Sequence, residues 1–484
     1  MSTEAASGAE FLDLDAVGLA ALIAAGEVSP MEVLDATIER IERLDPEINA
    51  IIHRRFERAR AEVEAGLADG PFTGVPITIK DLWPTSAGDP FHLGVRGMKD
   101  AKYCHPTDSN LVTRYREAGF VIVGRTNTPE LGLSATTEPL AYGPTRNPWN
   151  LDYGPGGSSG GAAASVAAGI TTVANASDGG GSIRIPAAHC GLVGLKVSRG
   201  RTSMGPMAEE WGSSVQHCVA RTVRDTATVL DASCGHFMGD GVVAPVPPNS
   251  FAYYVGTDPG SLRIGYTTHS RDGVDTAPEC ADATVKLAEL LESLGHQVES
   301  DQSPDALHGS AESQSMAPIT GVGVKAHLKM LGDLIGRPLE EDDVEPGTWL
   351  MAQMGDSVSG LDYAAAAQAQ HKYRRRMLSW WEQDWDLLLT PTTAHSAPRL
   401  GEIVPTDDNP FQSLLGSIPH AAFTSAFNIT GQPAISIPAG FTSEGLPLGA
   451  QLVAAYGRED QLIAVAAQLE TALGWAGKRP TPRG

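Results

Sequence analysis

Apolar side chains recur at helical spacing over Leu34, Ile38, Ile41 and Leu44, just after Ser29-Pro-Met-Glu32. That tetrapeptide reads as a capping box, with Ser29 at the N-cap, Pro30 at the first helical position and Glu32 reaching back to the cap amide. An amphipathic helix from Pro30 to about Leu44 follows. The period changes at Val75, Ile77 and Ile79, which alternate with Pro76, Thr78 and Lys80 as in a strand that Lys80 closes. Leu111 to Ala118 is again helical and stopped by Gly119. Phe120-Val-Ile-Val123 then forms a short, wholly apolar strand suited to the middle of a parallel sheet. The same order returns at Pro278 to Leu294, Gly295 and His296 to Glu299. Gly160 to Ala176, rich in Ala and Gly and too short to span a bilayer, reads as a tightly packed helix feeding a strand. From Asp301 to Trp385 the pattern is mostly helical, with a charged break over residues 340–345, and strands resume at Asp386-Leu-Leu-Leu389 and Ala434-Ile-Ser-Ile437. Such alternation predicts an α/β architecture with a mixed or parallel sheet. No segment is long or polar enough to be a linker and no repeat of solenoid length occurs, so one large domain over residues 11–478 is expected, with flexible ends at 1–10 and 479–484.

Composition narrows the function classes. At 484 residues, 42% hydrophobic and 19% charged, the chain is an ordinary globular protein with ample core. Its formal charge of -23 disfavours nucleic acid and anionic membrane, both of which would repel it. Five scattered cysteines without a Cys-x-x-Cys pair argue against a structural disulfide set, and no histidine or cysteine spacing suggests a metal. The acidic Met1 to Glu10 lacks the marks of a signal peptide, so a cytoplasmic location is expected.

Candidate chemistry sits in three places. Ser177-Asp-Gly-Gly-Gly-Ser-Ile-Arg-Ile-Pro186 places three glycines ahead of Ser182, where a helix is expected to open. Successive amides there would converge on one spot with the favourable end of the helix dipole, a cradle for a tetrahedral oxyanion. One such donor is worth about 3 kcal/mol of transition-state stabilisation. Taken alone, Gly-Gly-Gly-Ser is more often a turn with a serine N-cap. Gly156-Gly-Ser-Ser-Gly-Gly161 fits a nucleophile elbow at Ser158 or Ser159, but the loop-like residues 147–155 before it disfavour that reading. Neither glycine run has the Gly-Lys-Ser/Thr of a phosphate-binding loop. Lys80 becomes a base only if buried, because deprotonating an ordinary lysine at pH 7 costs about 4.6 kcal/mol. A Ser-His-Asp triad would need a distant histidine such as His105, His217 or His420, His189 lying in the expected helix of Ser182 itself.

Lys80 in Gly74-Val-Pro-Ile-Thr-Ile-Lys-Asp81, Ser158 in Gly156-Gly-Ser-Ser-Gly-Gly161 and Ser182 in its glycine loop together resemble the amidase signature family. The likeness spans nearly the whole chain, through Gly124-Arg-Thr-Asn127, Thr145-Arg-Asn-Pro-Trp149, Leu389-Thr-Pro-Thr392, Asn428-Ile-Thr-Gly-Gln-Pro-Ala434 and Leu446-Pro-Leu-Gly-Ala-Gln451. The resemblance implies a large mixed, twisted sheet covered by helices on both faces. It implies a Ser-Ser-Lys triad: Ser182 as acyl nucleophile, Ser158 as a relay hydroxyl on a cis peptide, and neutral Lys80 as base. Amides of Gly179, Gly180, Gly181 and Ser182 would form the oxyanion hole, with Asp178 and Arg184 pinning the loop. No cofactor is implied. The partners are a small-molecule amide and water, and a homodimer stays open. Within the family, residues 336–345 and Ala454-Ala-Tyr-Gly-Arg-Glu-Asp460 resemble the 6-aminohexanoate-cyclic-dimer hydrolases. The segment from Ser315 to Val324, expected to help line the pocket, departs from that group, with Thr320 near an expected cysteine. The implied substrates are small apolar, aryl, or cyclic or linear ω-amino acid amides. The alternative is the glutaminase-type subunit of a tRNA-dependent amidotransferase, which would need a companion chain.

Overall fold

In the computed structural model, which describes residues 10–208, 212–270, 273–309, 315–406 and 408–480, the capping box at Ser29 is complete. Glu32 N–H donates to Ser29 Oγ at 3.2 Å and the Glu32 carboxylate accepts from Ser29 N–H at 2.8 Å. The helix runs over Pro30–Ile48, past the expected end at Leu44 and through Pro46. The buried Asp45 carboxylate accepts from the amides of Ala50 and Ile51, tying the helix end to the next strand.

Eleven strands form one sheet: β1 Ile51–Arg54, β2 Pro76–Lys80, β3 Val121–Thr126, β4 Val173–Asp178, β5 Val193–Lys196, β6 Val215–Ala220, β7 Arg263–Tyr266, β8 Gln297–Ser300, β9 Leu387–Pro391, β10 Ala434–Phe441 and β11 Pro447–Ala454. Their order is β1-β3-β2-β4-β6-β5-β10-β11-β9-β7-β8. β2 runs parallel to both β3 and β4, and β7 parallel to β8 and β9, while the strands from β4 across to β9 pair antiparallel. The expected mixed sheet is therefore two parallel wings joined by an antiparallel centre. β3, whose apolar start suggested a central parallel strand, has a parallel neighbour on one side and antiparallel β1 on the other. The strand expected after Gly295 is the exposed edge strand β8.

Alternation along the strands explains the two helical layers. Leu387 and Leu389, Ile435 and Ile437, and Leu452 and Ala454 pack against helices Val223–Ser233, Pro278–Ser293 and Glu459–Leu473. The intervening Leu388, Ala434 and Val453 point the other way, into a second core with helices Gly360–Leu378 and Ser425–Thr430. A strand buried on both faces carries few polar residues without a partner. All five residues of β2 are buried, Lys80 among them. The Ala- and Gly-rich helix Gly160–Ala167 is buried along its whole length, and β4 follows it.

Of the ends expected to be flexible, residues 1–9 and 481–484 lie outside the described residues. Glu10 opens the 3-10 turn Glu10–Asp13, and Arg479 donates to the Ala476 carbonyl. Among the described residues no helix is long and apolar enough to cross a membrane.

Candidate active site

β2, β3 and β4 run parallel and end side by side at Lys80, Thr126 and Asp178. The region outside the carboxyl ends of parallel strands is where open α/β sheets hold ligands. Lys80 is fully buried there, and its Nζ lies 2.7 Å from Ser158 Oγ, 2.9 Å from Ser159 Oγ and 3.0 Å from Ser177 Oγ. Burial pushes the amine down to about 7, against the opposing pull of the Asp178 charge. At that value a large share of the lysine is neutral near physiological pH, the state a base requires. The two serines arrive on a loop that enters helix Gly160–Ala167, and the Gly157–Ser158 peptide bond is cis. Residues 154–157 ahead of them are not strand, so no elbow is formed.

The glycine loop follows β4. The Asp178 carboxylate and Arg184 guanidinium are both fully buried, joined by Nε–Oδ2 and Nη2–Oδ1 contacts of 2.9 Å each. Burial alone would raise the Asp178 carboxyl, but the Arg184 charge and hydrogen bonds outweigh it and hold the group well below the usual carboxylate range. Arg184 also donates to Thr424 O at 3.0 Å, Gln451 Oε1 at 2.7 Å and Asn428 Oδ1 at 2.6 Å, fastening the loop to the far side of the sheet.

The helix starts at Arg184, not at Ser182, because Asp178 takes the amides of Gly181, Ile183 and Arg184 at 2.7, 3.1 and 3.4 Å. That corrects one expectation: the Gly181 N–H is turned onto Asp178 and is not free for an oxyanion. The N–H groups of Gly179, Gly180 and Ser182 donate to no acceptor among the described residues. Gly181 has φ +136, and a Cβ there would overlap Thr424 Oγ1, whose hydroxyl donates to Gly180 O at 2.6 Å. Ser182 is half-buried, its hydroxyl bonds to no partner among the described residues, and its carbonyl accepts from Ser159 N–H at 3.3 Å, linking the two serine loops.

Among the described residues no histidine hydrogen-bonds to Ser158, Ser159, Ser177 or Ser182. His105 bonds to Thr107 O, and His217 lies buried in β6 with its Nε2 on Thr226 O. Ser159 and Ser177, singled out for no lasting role in the sequence, complete the hydroxyl ring around Lys80. By alternation Ser177 shares a face with Val173 and Asn175, so the strand pattern gives no hint of that contact, which is made at the strand ends. Helix Met316–Ile335 carries Thr320 and Val324, and Val324 packs with Trp83 and Leu131 beside the site. Residues 310–314 lie outside the described residues.

The amidase family model matches residues 32–463. A 6-aminohexanoate-cyclic-dimer hydrolase of Paenarthrobacter ureafaciens is 46% identical over 477 residues, 96% of each chain. A solved 6-aminohexanoate cyclic dimer hydrolase superposes with a TM-score of 0.94 at 45% identity, over 97% of this chain and 99% of the other. A bacterial aryl acylamidase gives a TM-score of 0.85 at 29% identity, over 97% and 99%. With a lysine amine held by serine hydroxyls and likeness over almost its full length, the chain belongs to the amidase signature family.

Proposed function

We propose that this amidase hydrolyses a carboxamide bond through an acyl-enzyme on Ser182. The observation that carries the reading is the buried Lys80 amine, 2.7 Å from Ser158 Oγ and shifted by burial to about 7. Neutral Lys80 draws the Ser158 proton while Ser158 takes that of Ser182, whose Oγ adds to the substrate carbonyl carbon. The oxyanion is held by the N–H groups of Gly179, Gly180 and Ser182. Collapse breaks the C–N bond, the amine leaves with the proton returned from Lys80 through Ser158, and water then releases the acid by the same route. Asp178 and Arg184 take no proton; they set the loop.

The substrate class is a cyclic or linear ω-amino acid amide, or a small apolar or aryl amide. The 46% identical relative supports this choice. Residues 11–478 act as one domain, in keeping with a single sheet. Five unpaired cysteines support a reducing compartment, the cytoplasm.

A fluorophosphonate followed by peptide mapping tests the mechanism. Label on Ser182 is expected, and label on Ser159, or none, would overturn it. Turnover of the 6-aminohexanoate cyclic dimer in a panel of amides and esters tests the substrate class.

A further inference from the structure

Thr424 lies in the turn between helices Gln412–Ala421 and Ser425–Thr430, wholly buried against the glycine loop, from which 244 positions of chain separate it. Its hydroxyl carries one proton and has two carbonyls in reach. Gly180 O at 2.6 Å is much nearer than Ala421 O at 3.3 Å, and the latter already accepts from Thr424 N–H at 3.2 Å, so the proton goes to Gly180. That bond touches none of Lys80, Ser158 or Ser182 and lies outside the proton path.

It completes a clamp on one peptide unit. The C=O of the Gly180–Gly181 peptide accepts from Thr424, and its N–H donates to Asp178 Oδ1 at 2.7 Å. A peptide is planar, so contacts at its two ends fix the orientation of the whole plane. With glycine on both sides, that plane would otherwise turn about soft dihedrals. The Gly180 N–H flanks it on one side and the Ser182 N–H on the other, both without an acceptor among the described residues. Gly181 is buried, and a Cβ there would overlap the Thr424 hydroxyl, whereas Gly180 and Ser182 are half-buried and a Cβ on Gly180 would meet open space. The clamp therefore holds the back of the loop, and the residues with free N–H groups lie toward its accessible side. Its arms are themselves fixed: Arg184 donates to Thr424 O at 3.0 Å, and Asn428 donates to Asp178 Oδ1 at 2.8 Å.

We propose that Thr424 is a positioning residue for hydrolysis: its hydroxyl, acting with the Asp178 carboxylate, locks the Gly180–Gly181 plane and so aims the Gly180 and Ser182 N–H groups at the developing oxyanion. The role rests on the acyl-enzyme chemistry at Ser182. Donors already in place when charge develops need no reorganisation at the moment of reaction, which is where such a clamp gains its effect.

The saturated rate constant for labelling of Ser182 by a fluorophosphonate reads the aim of those donors, because phosphonylation places negative charge on the phosphoryl oxygen in the same hole. The labelled fraction at completion separately counts intact sites. Thr424→Ala should slow the saturated rate about thirtyfold at an unchanged half-saturating concentration, less than the roughly 10²–10³ lost with a direct donor. Thr424→Ser, which keeps the hydroxyl, should stay within about threefold of the unaltered chain. Thr424→Val also lacks the hydroxyl but fills its space and should be at least as slow as the alanine variant, so the result does not hang on one variant's folding. A smaller labelled fraction at an unchanged rate, equal losses in the serine and alanine variants, or a change confined to the half-saturating concentration would each overturn the role. Those outcomes leave the acyl-enzyme chemistry standing, whereas no label on Ser182 of the unaltered chain would remove that chemistry and this role with it.

Discussion

Two lysines end two strands of the same sheet, both wholly buried and both pushed down by burial, yet they meet different partners. Lys80 ends β2 among three serine hydroxyls. Lys196 ends β5 with its Nζ on Gln432 O at 2.6 Å and Val197 O at 3.0 Å, with Arg184 and Arg199 lowering it further. A hydroxyl donates or accepts, so the ring around Lys80 suits the amine in either protonation state. A carbonyl only accepts, so the Lys196 partners need a donor and nothing beside them takes a proton onward. Burial by itself therefore does not make a base; the partners decide.

The largest effect follows from removing the Lys80 amine. Lys80→Met should lower kcat/KM by about a thousandfold or more while circular dichroism stays unchanged. Lys80→Arg should be equally inactive because guanidinium keeps its proton, and an active arginine variant would end the contrast. Next is pH. With the lysine at about 7 and its neutral form active, kcat/KM should fall about tenfold per unit below pH 7 and level off above it. That profile should persist in Lys196→Met. The same Lys196→Met change should leave kcat per folded molecule nearly unaltered but cost about 1–3 kcal/mol in denaturant unfolding, since it strands buried carbonyls. The smallest effect is Ser177→Ala, which removes one of three hydroxyls from Lys80. A loss of about fivefold in kcat/KM, near 1 kcal/mol, is expected, and a loss as large as that of Lys80→Met would recast Ser177 as a relay.

Local chemistry wrote much of the architecture. Ser29 and Glu32 cap their helix as adjacent residues must, and Ile77 and Ile79 share one core because a strand alternates. The helix end at Ile48 was not legible, since the buried Asp45 bonds onward to β1. β6, Val-Gln-His-Cys-Val-Ala, lacks clean alternation because both of its faces are buried. The glycine loop was visible as a loop, but its start of helix was placed two residues early. The competition between Ser182 and Asp178 for the first-turn amides depends on Arg184 and Asn428 holding the carboxylate, with Gln451 accepting in turn from Arg184. The same carboxylate occupies the Gly181 amide, which no local pattern reveals.

The order of residues by itself determined the periodic elements, the capping box and the glycine-rich turn, because each depends on neighbours a few positions apart, and the family likeness, because its motifs are each short runs of residues. Only the tertiary structure decided which buried lysine meets hydroxyls and which meets carbonyls. Solvent exclusion and partner identity arise where β2 and β4 end together, and those strands are brought side by side by pairing between residues far apart in the chain.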